Sequence, residues 1–399
     1  MNLNIRNYLL VYIIFLFSAS IFYLEIKSNV GNDSTVSEWL INYTGEFTKR
    51  GIIGQICIFF SRLFSLELRD TIFYFQSITI GIYYVLIFNF LKNLKCDRIF
   101  LLSIFTPIFL LYPVAEIEVL ARKETFLFII VLIYLLIPIK NKYLINSSKI
   151  ILLPLGILIW EPLIFLILFW VATDIAYNKY DKINFNFFKN SAIYLPTFFL
   201  VLYIALNPIS QEGHAEMVSV LKNEFNETCY MSCGRLNSTK TIVDNFQHNI
   251  GKYSPEVLLR YFLIILIGFG PLFILLSNAQ FKNKNLIFFK HFNNLLLPFV
   301  IILSPTILMF ILGGDWGRYV NITYIFSIIF FLSFYKKNLI HLNQNKLKTS
   351  FINQLNKKFF IFAFIFFCFG WNPKTVITGD VASFPGYRVP YKIFKVLSN

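Results

Sequence analysis

Apolar runs long enough to cross a bilayer recur from one end of this chain to the other, and they constrain the fold more than any motif does. About 30 Å of hydrocarbon needs roughly 17–25 residues of helix, and inside it the backbone must satisfy its own hydrogen bonds. Of the 399 residues 57% are hydrophobic and only 14% charged, whereas a soluble domain carries about 25% charged residues. The expected fold is therefore all-α: a polytopic integral membrane protein, one membrane domain over residues 1–399 with no large soluble domain. The stretch 8–26 follows Arg6 and lacks a small-x-small cleavage site before Asn29, so it reads as a retained signal anchor. The net charge of +15 comes from basic residues dispersed in short loops, which fits the positive-inside rule and excludes nucleic acid as a partner.

With the amino terminus in the cytoplasm, spans are expected at 8–26, 71–91, 99–115 and 125–139. The segment 150–177 decides the orientation of the rest of the chain. As one tilted span it would place Lys282, Lys284, Lys290 and the lysines at 336–358 outside. As a helical hairpin with Glu161-Pro162 at its outer tip, with arms of about 13 residues or ~20 Å, it keeps them inside. Proline suits a helix start after such a turn. Further spans at 191–206, 257–276, 295–312, 320–335 and 359–370 give about eleven transmembrane helices. In this threading 19 of the 36 Lys and Arg lie inside against Asp97, Asp174 and Asp181. The outer segments are 27–70, with an interfacial helix at 52–64, then 207–257 and 371–399.

Five polar clusters then fall on one face: 45–51, 116–124, 160–162, the loop around Cys229 and Cys233, and 313–319. In the first outer loop Glu46 or Glu38 is a candidate general base, with Lys49 and Arg50 as phosphate binders; nearby cations tune a carboxylate that burial would otherwise raise. Arg122 and Lys123 stand on an outer face against the positive-inside tendency, which suits an anionic headgroup. Glu161 is a lone acid in an apolar stretch, where a charge costs ~2.5–3.5 kcal/mol unless paired or wet. Around Gly313, Gly314 and Gly317 a sharp turn brings Asp315 near Arg318, while Trp316 and Tyr319 offer flat faces to a sugar. Local ion pairs and an interfacial aromatic belt are the competing, purely structural readings of these residues.

Cys229 and Cys233, four residues apart, are candidates for a disulfide in an oxidising compartment. No His/Cys quartet completes a metal site, and His214 and His248 have no fixed spacing to acids. The chain has no P-loop, dinucleotide fingerprint, H-E-x-x-H or G-x-S-x-G.

One-sided acids beside basic residues, set on short breaks between many spans, resemble the GT-C class of membrane glycosyltransferases and the O-antigen polymerase-like proteins of bacterial surface-polysaccharide assembly. The positions matching the acid of the first outer loop in that class are Glu38 and Glu46. The chain departs from the pattern in having no adjacent acidic pair there. The resemblance implies glycosyl transfer from a polyprenyl-linked donor at the extracytoplasmic face of the bacterial cytoplasmic (inner) membrane. It implies that Lys49, Arg50, Arg122, Lys123 and Arg318 hold the carrier phosphate. It also implies that Glu46, then Asp315 or Glu161, deprotonates the acceptor, and that Trp316, Tyr319 and Trp39 stack on sugars. No organic cofactor is implied; a divalent metal is compatible with it. A flippase for lipid-linked glycans, which would show pseudo-symmetric halves and charges deep in several helices, and a non-catalytic envelope subunit are the alternatives.

Overall fold

A computed structural model describes residues 3–30, 34–237 and 242–381, with 394 and 396–398. The expected outer segments 27–70, 207–257 and 371–399 therefore reach outside the described residues at 31–33, at 238–241 and beyond 381. The described chain is mostly helical, with two short antiparallel strand pairs. Among the described residues seven helices are long and apolar enough to cross a membrane: Arg6–Ser28, Leu68–Leu91, Lys142–Ile159, Glu161–Asn178, Phe185–Leu206, Pro255–Ser277 and Trp316–Lys336. Their length and composition suit a helical membrane protein. The outer helices expose Val11, Phe15, Ile78, Phe199, Phe262 and Phe366, an apolar surface that water would penalise and lipid accepts.

Seven such helices among the described residues do not confirm the expected count of about eleven, and two of the expected spans are interrupted. The span expected at 99–115 stops as a helix at Phe105 and resumes only at Tyr112. Pro107 pushes the preceding Thr106 into an extended conformation, ψ 140°. The span expected at 295–312 runs as Leu296–Leu303, a 3-10 turn at Ser304–Thr306 containing Pro305, then Ile307–Leu312. Such breaks at membrane depth need partners for the freed backbone. At the first break the central helix Trp316–Lys336, buried on every side from Val320 to Phe334, supplies them. Asn321 donates to the carbonyl oxygens of Ile108 (2.9 Å) and Phe109 (3.2 Å), and Tyr324 donates to that of Ser103 at 2.6 Å.

The chain turns back at Glu161. Lys149 Nζ lies 2.8 and 2.7 Å from the two carboxylate oxygens of Asp174, whereas 25 residues of one straight helix would separate them by about 37 Å. The arms are longer than expected from sequence, Lys142–Ile159 and Glu161–Asn178, so the hairpin is not short-armed. Lys149 belongs to the first arm rather than to a loop.

This turn sorts the chain ends of the helices into two groups. At one end Leu3–Asn4 pairs with Lys95–Cys96, and Ala279–Phe281 with Ile340–Leu342. Lys337 Nζ there donates to the Ile137 carbonyl (2.9 Å) and to Tyr177 Oη (2.6 Å), and Ile287 N donates to the Tyr180 carbonyl at 2.8 Å. Residues 34–50, 116–124, 160–161, 313–318 and 371–380 gather at the other end, held by ion pairs and by hydrogen bonds between loops.

Candidate functional site

Glu38 is the centre of the second end. It comes directly after the short helix Ser34–Ser37 and is 1% exposed. The loop that carries it is pinned from three sides. Gln76 donates to the Thr35 carbonyl at 2.9 Å, and Trp39 Nε1 to the Ala121 carbonyl at 2.9 Å. Gly54, on the helix Gly51–Phe64, lies so close to the backbone of Trp39 and Ile41 that a Cβ would sit 2.1 Å from the Ile41 oxygen. That helix covers the segment 52–64 expected to be helical, and it presents Phe59, Leu63 and Phe64 outward.

Three guanidinium groups converge on Glu38. Arg122 Nη2 is 2.8 Å from Oε1, Arg318 Nη2 is 3.1 Å away, and Arg50 Nη1 is 4.0 Å away. Arg318 also pairs with Glu124 and, at 3.2 Å, with Asp315, which is 3.7 Å from Arg122. Arg50 grips Glu161 with two parallel hydrogen bonds, Nε to Oε2 and Nη2 to Oε1, both 2.7 Å, the bidentate geometry that gives charge-assisted bonds their direction. Arg50 holds a left-handed backbone, φ 63°, and its carbonyl accepts from the buried Lys123 ammonium. Acids from four separate segments, Glu38, Glu124, Glu161 and Asp315, thus interleave with Arg50, Arg122, Lys123 and Arg318.

Burial by itself would raise the Glu38 carboxyl, but Arg122, Arg318, Arg50 and Lys123 overcome it and hold it well below the usual carboxylate range. Burial dominates at Lys123, pushing its ammonium down to about 7 against the opposing pull of Glu38. A permanently ionised Glu38 is a weak base. Its place is that of a counterion that sets the arginines. The accessible acids are Asp315, with its side chain 32% exposed, and Glu161 at 22%.

A strap closes this end. Residues 371–380 run across the turn at 313–318, with Gly317 N donating to the Thr375 carbonyl (3.2 Å) and Ile377 N to that of Gly314 (2.7 Å). Arg260 and Tyr261 hold the strap by the carbonyls of Ile377 (2.6 Å) and Lys374 (3.2 Å). Gly317 is required here, because a Cβ would stand 2.0 Å from the Lys374 oxygen.

Several residues singled out in the sequence lie elsewhere. Glu46 is exposed and outside the cluster; its carboxylate accepts from the Ser210 N–H at the head of helix Gln211–Phe225, and hydrogen bonding to Ser210 lowers its pKa. A carboxylate at a helix amino terminus is stabilising. Trp316 is packed by Tyr253, Tyr261 and Phe310 with ring centroids 5.1–5.7 Å away, and its Nε1 donates to the Phe310 carbonyl at 2.7 Å. Trp39 is fully buried against Phe126. Neither indole offers a free face to a sugar, and only the half-buried Tyr319 keeps partial exposure. Lys49 is exposed and acts electrostatically on Glu161. Cys229 and Cys233 are disulfide-bonded, with His214 Nε2 3.7 Å from Cys229 Sγ. Glu124 is a site residue not anticipated from sequence. Its signal is the same as that of Glu161, an acid flush against a purely apolar helix.

A divalent cation does not fit these residues. Glu38, Glu124, Glu161 and Asp315 are each paired with a guanidinium group, and among the described residues no three His, Cys, Asp or Glu side chains form a ligand set. No family model, curated protein or solved structure matches the chain.

Proposed function

We propose that this protein transfers a glycosyl group from a polyprenyl-linked donor to a glycan or lipid-linked acceptor. The site would be the arginine-rich end, facing the extracytoplasmic side of a bacterial cytoplasmic membrane, as in surface-polysaccharide assembly of the O-antigen kind. The observation that carries the reading is Asp315. It is a partly exposed carboxylate 3.2 Å from Arg318 and 3.7 Å from Arg122, at the edge of a cluster otherwise sealed by burial. The orientation rests on the opposite end, where Lys and Arg crowd short connections almost without acids.

In this reading the donor phosphate competes for Arg122 and Arg318, with Lys49 and Arg50 at the mouth. That competition releases Asp315 from its two guanidinium partners. Asp315 takes the proton of the acceptor hydroxyl as that oxygen attacks the anomeric carbon. The bond from that carbon to the carrier phosphate oxygen breaks, and the charge left on the phosphate is stabilised by the same arginines. Glu38 holds the arginines in register throughout.

Asp315→Asn keeps size and removes the base. Transfer of labelled sugar from a polyprenyl-linked donor in membranes should fall at least about 100-fold, with the amount of protein in the membrane unchanged. Full transfer by Asp315→Asn would remove Asp315 from this role.

A further inference from the structure

The end opposite the arginine cluster carries a second polar pocket, independent of the proposed reaction. Between the helix Pro255–Ser277 and the helix Leu296–Leu303 the chain forms the strand Ala279–Phe281 and a loop wrapped around a cavity of about 180 Å³. Lys284, Lys290, Gln280, Asn293 and Asn294 line its polar side, and Phe281, Phe289 and Leu295 its floor. The floor is fixed. Phe281 packs on Phe289 and Phe334 with centroids 4.4 and 5.3 Å away, and Leu295 N donates to the carbonyls of Leu276 (3.1 Å) and Ala279 (3.0 Å). The wall that carries Lys290 is held by a rare γ-turn: Phe288 has φ 70°, ψ −56°, and Phe289 N donates to the Ile287 carbonyl at 2.9 Å. No acid occurs in the sequence from residue 257 to 314, so no carboxylate of this stretch neutralises the two lysines. Directly below, the helix Leu296–Leu303 exposes Leu297, Val300 and Ile301.

Ammonium and amide donors above an apolar floor, continuous with a lipid-facing helix, are what a phosphate with attached acyl chains requires. Basic pockets at this level between membrane helices bind anionic lipid headgroups. The geometry points to a site for an anionic phospholipid, its phosphate between Lys284 and Lys290 and its chains along Leu297 and Val300.

The test uses the full chain in detergent and native mass spectrometry. Retention of phosphatidylglycerol is compared with retention of phosphatidylcholine, and inorganic phosphate serves as a soluble competitor. Wild type should retain one phosphatidylglycerol preferentially. Lys284→Gln/Lys290→Gln should weaken retention about tenfold or more, Lys284→Arg/Lys290→Arg should preserve it, and Lys346→Gln/Lys348→Gln, at the same end but outside the pocket, should leave it unchanged. Equal retention by wild type and the pocket Gln variant overturns the proposal. So does displacement of the lipid by millimolar inorganic phosphate, which makes this a soluble-anion site. Equal loss in the Gln and Arg variants would mean that the loop has collapsed and that charge is not the determinant, and also counts against it.

Discussion

At the residue scale, Glu38 and Asp315 share two arginines and differ in every consequence of burial. Removing one partner of a buried ion pair leaves the other charge stranded, at a cost of about 3–5 kcal/mol. Glu38→Gln should therefore lower the thermal midpoint in detergent sharply, whereas Asp315→Asn, at the exposed edge, should shift stability by less than about 1 kcal/mol while abolishing transfer. Comparable stability for the two variants would contradict the assignment of counterion and base. Lys123 gives a pH signature. Its folded value, about 7, lies below the ~10.4 of an unfolded lysine, so between those values the unfolded chain binds the extra proton. The contribution of Lys123 to stability therefore rises as pH is raised from about 7 to ~10.4 and is lost on the way back down. Lys123→Met should flatten that part of the midpoint-versus-pH curve, and an unchanged slope would show that the ammonium is not held this way. Glu38 acts at the other extreme: its depressed value gives stability that is present above ~4.3 and lost only as pH falls through the folded value.

At the element scale, the hairpin Lys142–Asn178 is the feature on which the rest depends, and it was legible from the sequence. A lone Glu161 before Pro162 in the middle of an apolar stretch has few stable placements other than a turn. The closure of the hairpin was not legible, because Lys149 and Asp174 each look like ordinary charges at a helix end until the arms are folded together. Lys149→Met should destabilise strongly by stranding Asp174, and Lys149→Met/Asp174→Leu should recover much of the loss. Failure of the double variant to recover would mean that the pair is not the clamp. The interrupted spans show a similar division. Pro107 and Pro305 announce breaks, but at Pro107 the repair by Asn321 and Tyr324 lies more than 200 residues away in sequence. The choice between Glu38 and Glu46 could not be read either. Both sit in one polar loop, and only the docking of Gly54 against residues 39–41 decides which is buried. Trp316 misled for the converse reason: an aromatic beside three glycines suggests an open face, while Tyr253, Tyr261 and Phe310 arrive from other segments to cover it.

At the scale of the whole molecule, charged segments separated by up to 280 residues meet at one end of the bundle, and lysines with few acids among them crowd the other. Glycosyl transfer at the arginine cluster and lipid binding at Lys284 and Lys290 both require that these ends face opposite sides of the membrane. Single cysteines at Lys49 and Lys284, in a background with Cys57, Cys96, Cys229, Cys233 and Cys368 replaced, test this directly with an impermeant thiol reagent added to intact cells. The account predicts that Lys49→Cys is labelled from outside and Lys284→Cys only after the membrane is opened; labelling of both from the same side would contradict it.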